Sequence, residues 1–354
     1  MSTMATLASG TSMAMGCALA WSGTALYQFV VGRVGVVPSP GLAGGPAKFF
    51  GATDANSYRE NYGCGSVYAL NLTSAAVGVA APISHLNAGP DTGCYPIGPV
   101  NLAANGDVFA IAPNGGTFYG AIMQFKPPGG TRTHWSQQTI YNFTGQADGF
   151  YPQVPLLLSA SGALYGTALA SSNGQEFPEP LYQLAPPAHD QKNWNFSLIY
   201  QFPGTECADG VGQLIEDPHG TIYGPCSDNV ANGQDQPGNI FTLTPPASTQ
   251  KSWTLKLLWS FSGGADGGHP QTAVTLDSVG NVYGTTSQGN GTIFRLSPPA
   301  SGQTSWTETT LWTFSGSDGS EPSSPLLLTS AGTLIGTTSA GGLANAGTAF
   351  ELTP

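Results

Sequence analysis

Three glutamates sit where the sequence departs from its own internal pattern: Glu60, Glu176 and Glu321. A pair of carboxyl groups flanking a sugar linkage suffices for glycoside hydrolysis, one protonating the leaving oxygen and the other acting as base or nucleophile. These three are the candidate catalytic residues. Beside them lie Tyr58, Arg59, Tyr62, Tyr95, Tyr151 and Phe177. Flat aromatic rings stack on the apolar faces of pyranoses, and polar groups at their rims bind hydroxyls. His269, in Gly-Gly-His-Pro, has the chemistry of a general base or a metal ligand. These seven are the candidate ligand-binding residues. The competing reading is that the aromatics pack between repeats and that a lone loop histidine does neither job. A second acidic series, Asp148, Asp209, Asp266 and Asp318, precedes glycine each time. Such an aspartate caps a turn by accepting backbone N–H bonds, so this series reads as structure and not as a catalytic ring.

Other chemistries leave no trace. There is no Gly-x-Ser-x-Gly elbow, His-Glu-x-x-His, phosphate-binding loop, calcium loop or dinucleotide fingerprint. No cysteine spacing suggests zinc. The glycine-rich loops lack neighbouring Lys or Arg, which argues against phosphate. No metal and no cofactor is expected.

The chain has 354 residues with 9 Lys plus Arg against 20 Asp plus Glu, a net charge of −11. An acidic chain does not displace phosphate counterions, so nucleic acid is excluded as a partner, and docking on anionic lipid is disfavoured. With 49 Gly and 28 Pro, long helices are not expected, while 40% apolar residues argue for a folded chain. No charged residue precedes Arg33, so no basic start of a secretory signal is visible. Residues 13–31 are apolar enough to consider as a membrane span. That reading fails because Trp21 to Phe29 belong to a repeat. Residues 1–20 are set apart as an N-terminal segment, the remnant of an export signal or an altered start.

The repeat is Trp, four residues, Leu or Ile, Tyr or Trp, one residue, Phe. It stands at Trp21, Trp135, Trp194, Trp253 and Trp306, with gaps of 114, 59, 59 and 53 residues. The first gap is two periods of 57, so a degenerate copy ends near Ile83-Ser84-His85-Leu86, with Gly78 in place of Trp. The period also holds an Asp-Gly-x-x-Pro turn, with Asp209-Gly210 lacking the Pro and Thr92-Gly93 lacking the Asp, an aromatic or aliphatic residue before Gly (Tyr283-Gly284, Ile335-Gly336) and a short strand ending in Pro, as in IFRLSPP. Four short strands per unit follow. Trp306, Trp312 and Phe314 are expected on one face of strand four and Leu311 on the other. Strands apolar on both faces need cover on both, which a stack of four-stranded sheets provides. Strand two recurs at Phe50, Phe109, Tyr165, Tyr223, Tyr283 and Ile335. The expected fold is all-β: a six-bladed β-propeller over residues 21–354, closed by the N-terminal strand at Trp21 completing the last blade. An open stack of repeats is the alternative.

Residues 280–299, GNVYGTTSQGNGTIFRLSPP, and 332–354, GTLIGTTSAGGLANAGTAFELTP, resemble the Gloeobacter–Verrucomicrobia tandem repeat of bacterial secreted and surface proteins. Units three to six resemble it well, units one and two less. The resemblance implies the fold and export, and brings no catalytic motif.

Alternating strand direction puts the two-to-three loops and the turns entering each unit on one face, called the top. Cys64, Cys94, Cys207 and Cys226 all fall there, and disulfides Cys64–Cys94 and Cys207–Cys226 are expected, with Cys17 free. Low charge and abundant Ser, Thr, Asn and Gly look extracellular, where disulfides persist; buried free thiols are the alternative. The function expected is a secreted or cell-surface monomer that binds glycans or a surface polymer through its top face, without inserting in a membrane. A polysaccharide hydrolase or lyase using a carboxylate pair on that face is the alternative, and a purely structural extracellular repeat protein the third reading.

Overall fold

The computed structural model describes residues 36–39, 41–45, 48–55, 64–71, 79–86, 93–115, 118–131, 133–152, 154–169, 179–188, 193–203, 205–207, 210–231, 234–247 and 252–354. Among them there is no helix, only short antiparallel strands. Each repeat folds as its own sheet, in chain order. Unit five is representative: Thr275–Leu276, Val282–Thr286, Thr292–Ser297 and Thr307–Thr313 pair in sequence as strands one to four. The same order holds for the four-stranded sheets of units two, three and four. The copy inferred from a degenerate sequence is present, since Val79–His85 pairs with Ser66–Asn71 as strand four of unit one.

Successive side chains of a strand point to opposite faces, and here the two faces feed two different cores. In strand two of unit two, Val108 and Ala110 join the cluster shared with unit one, whereas Phe109 and Ile111 join the cluster shared with unit three. Further clusters lie between units three and four, four and five, and five and six. The sheets therefore stack face to face, and those of units two to five are each buried on both sides by their neighbours.

The recurrent motif of strand four has a local cause. Ile293 pairs with Trp312 and Phe294 with Thr310, leaving Leu311 as an extra residue. Ile83, Ile140, Ile199 and Leu258 occupy the same bulge in the preceding units. The Leu or Ile of the motif is thus the bulge residue. This corrects the expected facing of strand four. A bulge shifts the two-residue alternation by one, so Trp306 packs with Phe294 and Leu296, while Phe314 and Leu311 pack together with Ile293 in the next core.

The glycine after the strand-two aromatic also has a reason. Gly166, Gly224, Gly284 and Gly336 lie opposite Tyr182, Phe241, Phe294 and Phe350 of strand three. The aromatic ring crosses the glycine, and a β-carbon on Gly284 would fall 2.5 Å from Phe294 Cζ. In unit two the position is Ala110, and its partner is the slender Met123.

The last sheet differs. Its strand three, Thr348–Leu352, has no strand four among the described residues. Its outward face leaves Leu327 62% and Ile335 37% exposed, while the matching Tyr165 is 5% exposed. The segment at Trp21 lies outside the described residues, as does Cys17.

Candidate functional site: the top of the repeat stack

The recurring aspartates hold the turns that enter units three, five and six. Asp148 accepts hydrogen bonds from the Thr144 N–H, the Thr144 hydroxyl and the Tyr141 hydroxyl, at 2.8, 2.6 and 2.8 Å. Asp318 accepts from the Ser315 N–H and hydroxyl, both 2.8 Å, and from Trp312 Nε1 at 3.0 Å. Asp266 is held the same way by Ser262 and Trp259. The Tyr or Trp of the strand-four motif is thus the aspartate's donor. The Ser315 N–H bond, with help from the hydroxyl and indole, keeps the Asp318 carboxyl below the usual range. Desolvation works against ionisation of Asp266, and its donors outweigh it, with the same net direction. Burial first, then the bond to Asp148, pushes the Tyr141 phenol far above its ordinary value. Carboxylates saturated in this way are turn caps, as the Asp-Gly pattern suggested. Asp209 lies outside the described residues, and in that turn Glu206 accepts the Tyr200 hydroxyl at 2.6 Å.

Two residues beyond Asp148-Gly149, Asp266-Gly267, Asp318-Gly319 and the Thr92-Gly93 of unit two comes a residue followed by proline, and here the structure gathers four of the candidates. Tyr95, Tyr151, His269 and Glu321 occupy this one repeat position in units two, three, five and six. All four have left-handed backbones, with φ of 56°, 45°, 56° and 54°. Non-glycine residues avoid that region, and a following proline disfavours it further. What enforces it is a repeated bond between units. The N–H groups of Tyr95, Tyr151, His269 and Glu321 donate to the carbonyls of Cys64, Tyr119, Pro237 and Asn290, at 2.8, 2.8, 2.7 and 3.1 Å. Each acceptor stands in the two-to-three loop of the preceding unit. In unit four the position is Gly212, whose N–H donates to Pro225 O.

Around this row lie two main cavities. One, of about 650 Å³, is lined by Tyr95, Ile97, Pro113, Asn114 and Tyr151. The other, of about 610 Å³, is lined by Gly212, Gln213, Gln271, Ser287, Glu321 and Ser339 among others. Neither wall contains Lys or Arg. The Ser339 hydroxyl lies 3.2 Å from Glu321 Oε2. His269 Nδ1 lies 2.6 Å from Asp228 Oδ1, which fixes the imidazole across the junction of units four and five. Phe118, also left-handed with φ of 77°, is 87% exposed in the two-to-three loop of unit two.

The disulfides Cys64–Cys94 and Cys207–Cys226 are both formed. The first joins units one and two directly beside the Tyr95 N–H bond to Cys64 O. Glu60, Glu176, Tyr58, Arg59, Tyr62 and Phe177 lie outside the described residues, so of the three catalytic candidates only Glu321 is placed. Sequence reasoning missed Asp228 and the polar lining Gln213, Gln271, Ser287 and Ser339. Ser287 and Ser339 share a signal that would have found them: each lies three residues after the strand-two Gly. Glu179, which the sequence places on the top in the unit-three loop with Glu176 and Phe177, is buried, and its carboxylate accepts the Val211 N–H at 3.1 Å. Among the described residues, no three His, Cys, Asp or Glu side chains gather as metal ligands.

Stacked four-stranded antiparallel sheets with interleaved cores define a repeat protein of propeller-like fold. Residues 212–354 match the family described as the Gloeobacter/Verrucomicrobia repeat, as the resemblance of units five and six led one to expect. No curated protein matches the sequence. Among solved structures, a putative 6-phosphogluconolactonase from Bacteroides uniformis is similar, with 11% identity, a TM-score of 0.51, and coverage of 87% of this chain and 82% of the other. The periplasmic gluconolactonase PpgL of Pseudomonas aeruginosa gives 12%, 0.51, 88% and 84%. PorZ, a surface component of the type-IX secretion system of Porphyromonas gingivalis, gives 10%, 0.51, 84% and 38%. At these identities the likeness is one of fold alone.

Proposed function

We propose that the protein is an extracellular or cell-surface β-propeller that binds a glycan or a surface polymer at the top of its repeat stack. The observation that carries this reading is the cavity between Tyr95 and Tyr151, two phenols presented at one repeat position with Asn114 on the same wall. Two rings offer stacking area for a pyranose, and an amide offers a donor and an acceptor for its hydroxyls. Holding a non-glycine residue in a left-handed backbone costs of order 1–3 kcal/mol at each position, which favours a role for those side chains. Two disulfides favour an oxidising compartment. Alanine at both Tyr95 and Tyr151 is expected to weaken retention on the recognised polysaccharide by at least tenfold. Unchanged affinity, measured with a plant, algal and microbial polysaccharide panel, refutes the site.

We also propose that the sheets close as a six-bladed ring, with the strand at Trp21 completing unit six. The exposed outward face of unit six, and a strand edge with no partner among the described residues, support this. Carrying the register of unit five onto unit six places Tyr27 opposite Ala349, with Leu26 as the bulge residue. In a Cys17→Ser background, Tyr27→Cys with Ala349→Cys is expected to oxidise to a disulfide within one chain. A linkage between chains, or two free thiols, overturns the closure.

A further inference from the structure

The row of left-handed residues is uneven in its chemistry, and the unevenness points to a ligand class. Units two and three present phenols at Tyr95 and Tyr151. Unit four presents nothing, because the position is Gly212. Units five and six present the His269–Asp228 pair and Glu321. Gly212 lines the same cavity as Glu321 but packs against Gln271 O and Pro225 and adds no polar side chain to that wall. The cavity offers amides at Gln213 and Gln271, hydroxyls at Ser287 and Ser339, and one carboxylate, Glu321. A sugar carboxylate or sulfate there would meet no cation and would face a chain of net charge −11. A protonated amine would gain a charge-assisted bond to Glu321, while its hydroxyls would meet the amides and serines.

We propose that the ligand of this face is an amino sugar: one pyranose stacks between Tyr95 and Tyr151, and a primary amine on a further residue of the same glycan pairs with Glu321. This rests on the glycan-binding reading above and adds the substrate class to it. Hexamers of β-1,4-linked glucosamine, N-acetylglucosamine and glucose share one backbone and differ at carbon 2 by amine, acetamide or hydroxyl. They separate the two claims when titrated calorimetrically against the whole protein, at low salt and in a mildly acidic buffer that keeps the amines protonated. The glucosamine hexamer is expected to bind at least tenfold more tightly than the other two, and an oligogalacturonate not at all. Glu321→Gln, an isosteric change at an exposed residue of the short strand Ser320–Pro322, is expected to abolish the preference for the glucosamine hexamer, with the thermal midpoint reporting that the fold is kept. Equal or tighter binding of the glucose or N-acetylglucosamine hexamer, or a preference that survives Glu321→Gln, overturns the amino-sugar assignment and leaves the glycan reading standing. If none of the hexamers and no polysaccharide of the panel binds, the glycan reading itself falls.

Discussion

Replacing Phe294 by alanine is expected to destabilise the protein by about 3–5 kcal/mol, the usual range for emptying a fully buried aromatic site. Phe294 is 0% exposed at the centre of the core between units four and five, with Phe261 in edge contact at 5.1 Å between centroids. Its ring also lies across Gly284, so the site is sensitive from the other side. Gly284→Ala is expected to cost about 1–3 kcal/mol by overpacking, because the new β-carbon would lie 2.5 Å from the ring. Unit two already shows the compensated form, Ala110 opposite Met123. Combining Gly284→Ala with Phe294→Met should therefore cost less than the two single changes added together, with a coupling of about 1 kcal/mol. Urea denaturation of the four proteins gives the cycle. Strict additivity would show that Gly and ring are not packed against each other as described.

Removing the Cys207–Cys226 disulfide by paired serine substitutions is expected to lower stability by about 3 kcal/mol, and removing Cys64–Cys94 by a similar amount. The sequence separations are 19 and 30 residues. Loop-closure entropy grows only logarithmically, so the two should differ by a few tenths of a kcal/mol on that ground. The consequences for the site should differ more. Cys64 also supplies the carbonyl that holds the Tyr95 N–H, so loss of Cys64–Cys94 should weaken glycan retention. Loss of Cys207–Cys226, in the glycine-bearing unit, should leave retention largely intact. Reduction of the unaltered protein should reproduce the combined loss of stability. Denaturation midpoints that ignore both substitution and reductant would contradict these assignments.

Much of the architecture was legible in one sequence because each strand spans few residues and the unit recurs. The spacing of the Trp motif gave the period, and it located a unit whose motif had lost its Trp. Alternating strand direction was enough to bring four cysteines to one face in two pairs. The Asp-Gly pattern was read as a turn, and the bonds around Asp148, Asp266 and Asp318 bear that out. Tyr95, Tyr151, His269 and Glu321 were singled out as departures from the pattern, although nothing in the sequence said that they share one backbone conformation.

Three features were decided only by the tertiary structure. The side of strand four that Trp312 and Phe314 occupy depends on the bulge at Leu311, and a bulge is a property of two paired strands, invisible along one of them. The partnership of His269 with Asp228 crosses between units, so its 2.6 Å contact depends on how two sheets pack and not on any local spacing. The left-handed row exists because each N–H reaches a carbonyl of the preceding unit. Local repeats fixed which residues form strands, turns and bridges. The docking of one sheet on the next decided which of those residues meet at a cavity, because that geometry is set by long-range contacts that no short stretch of sequence contains.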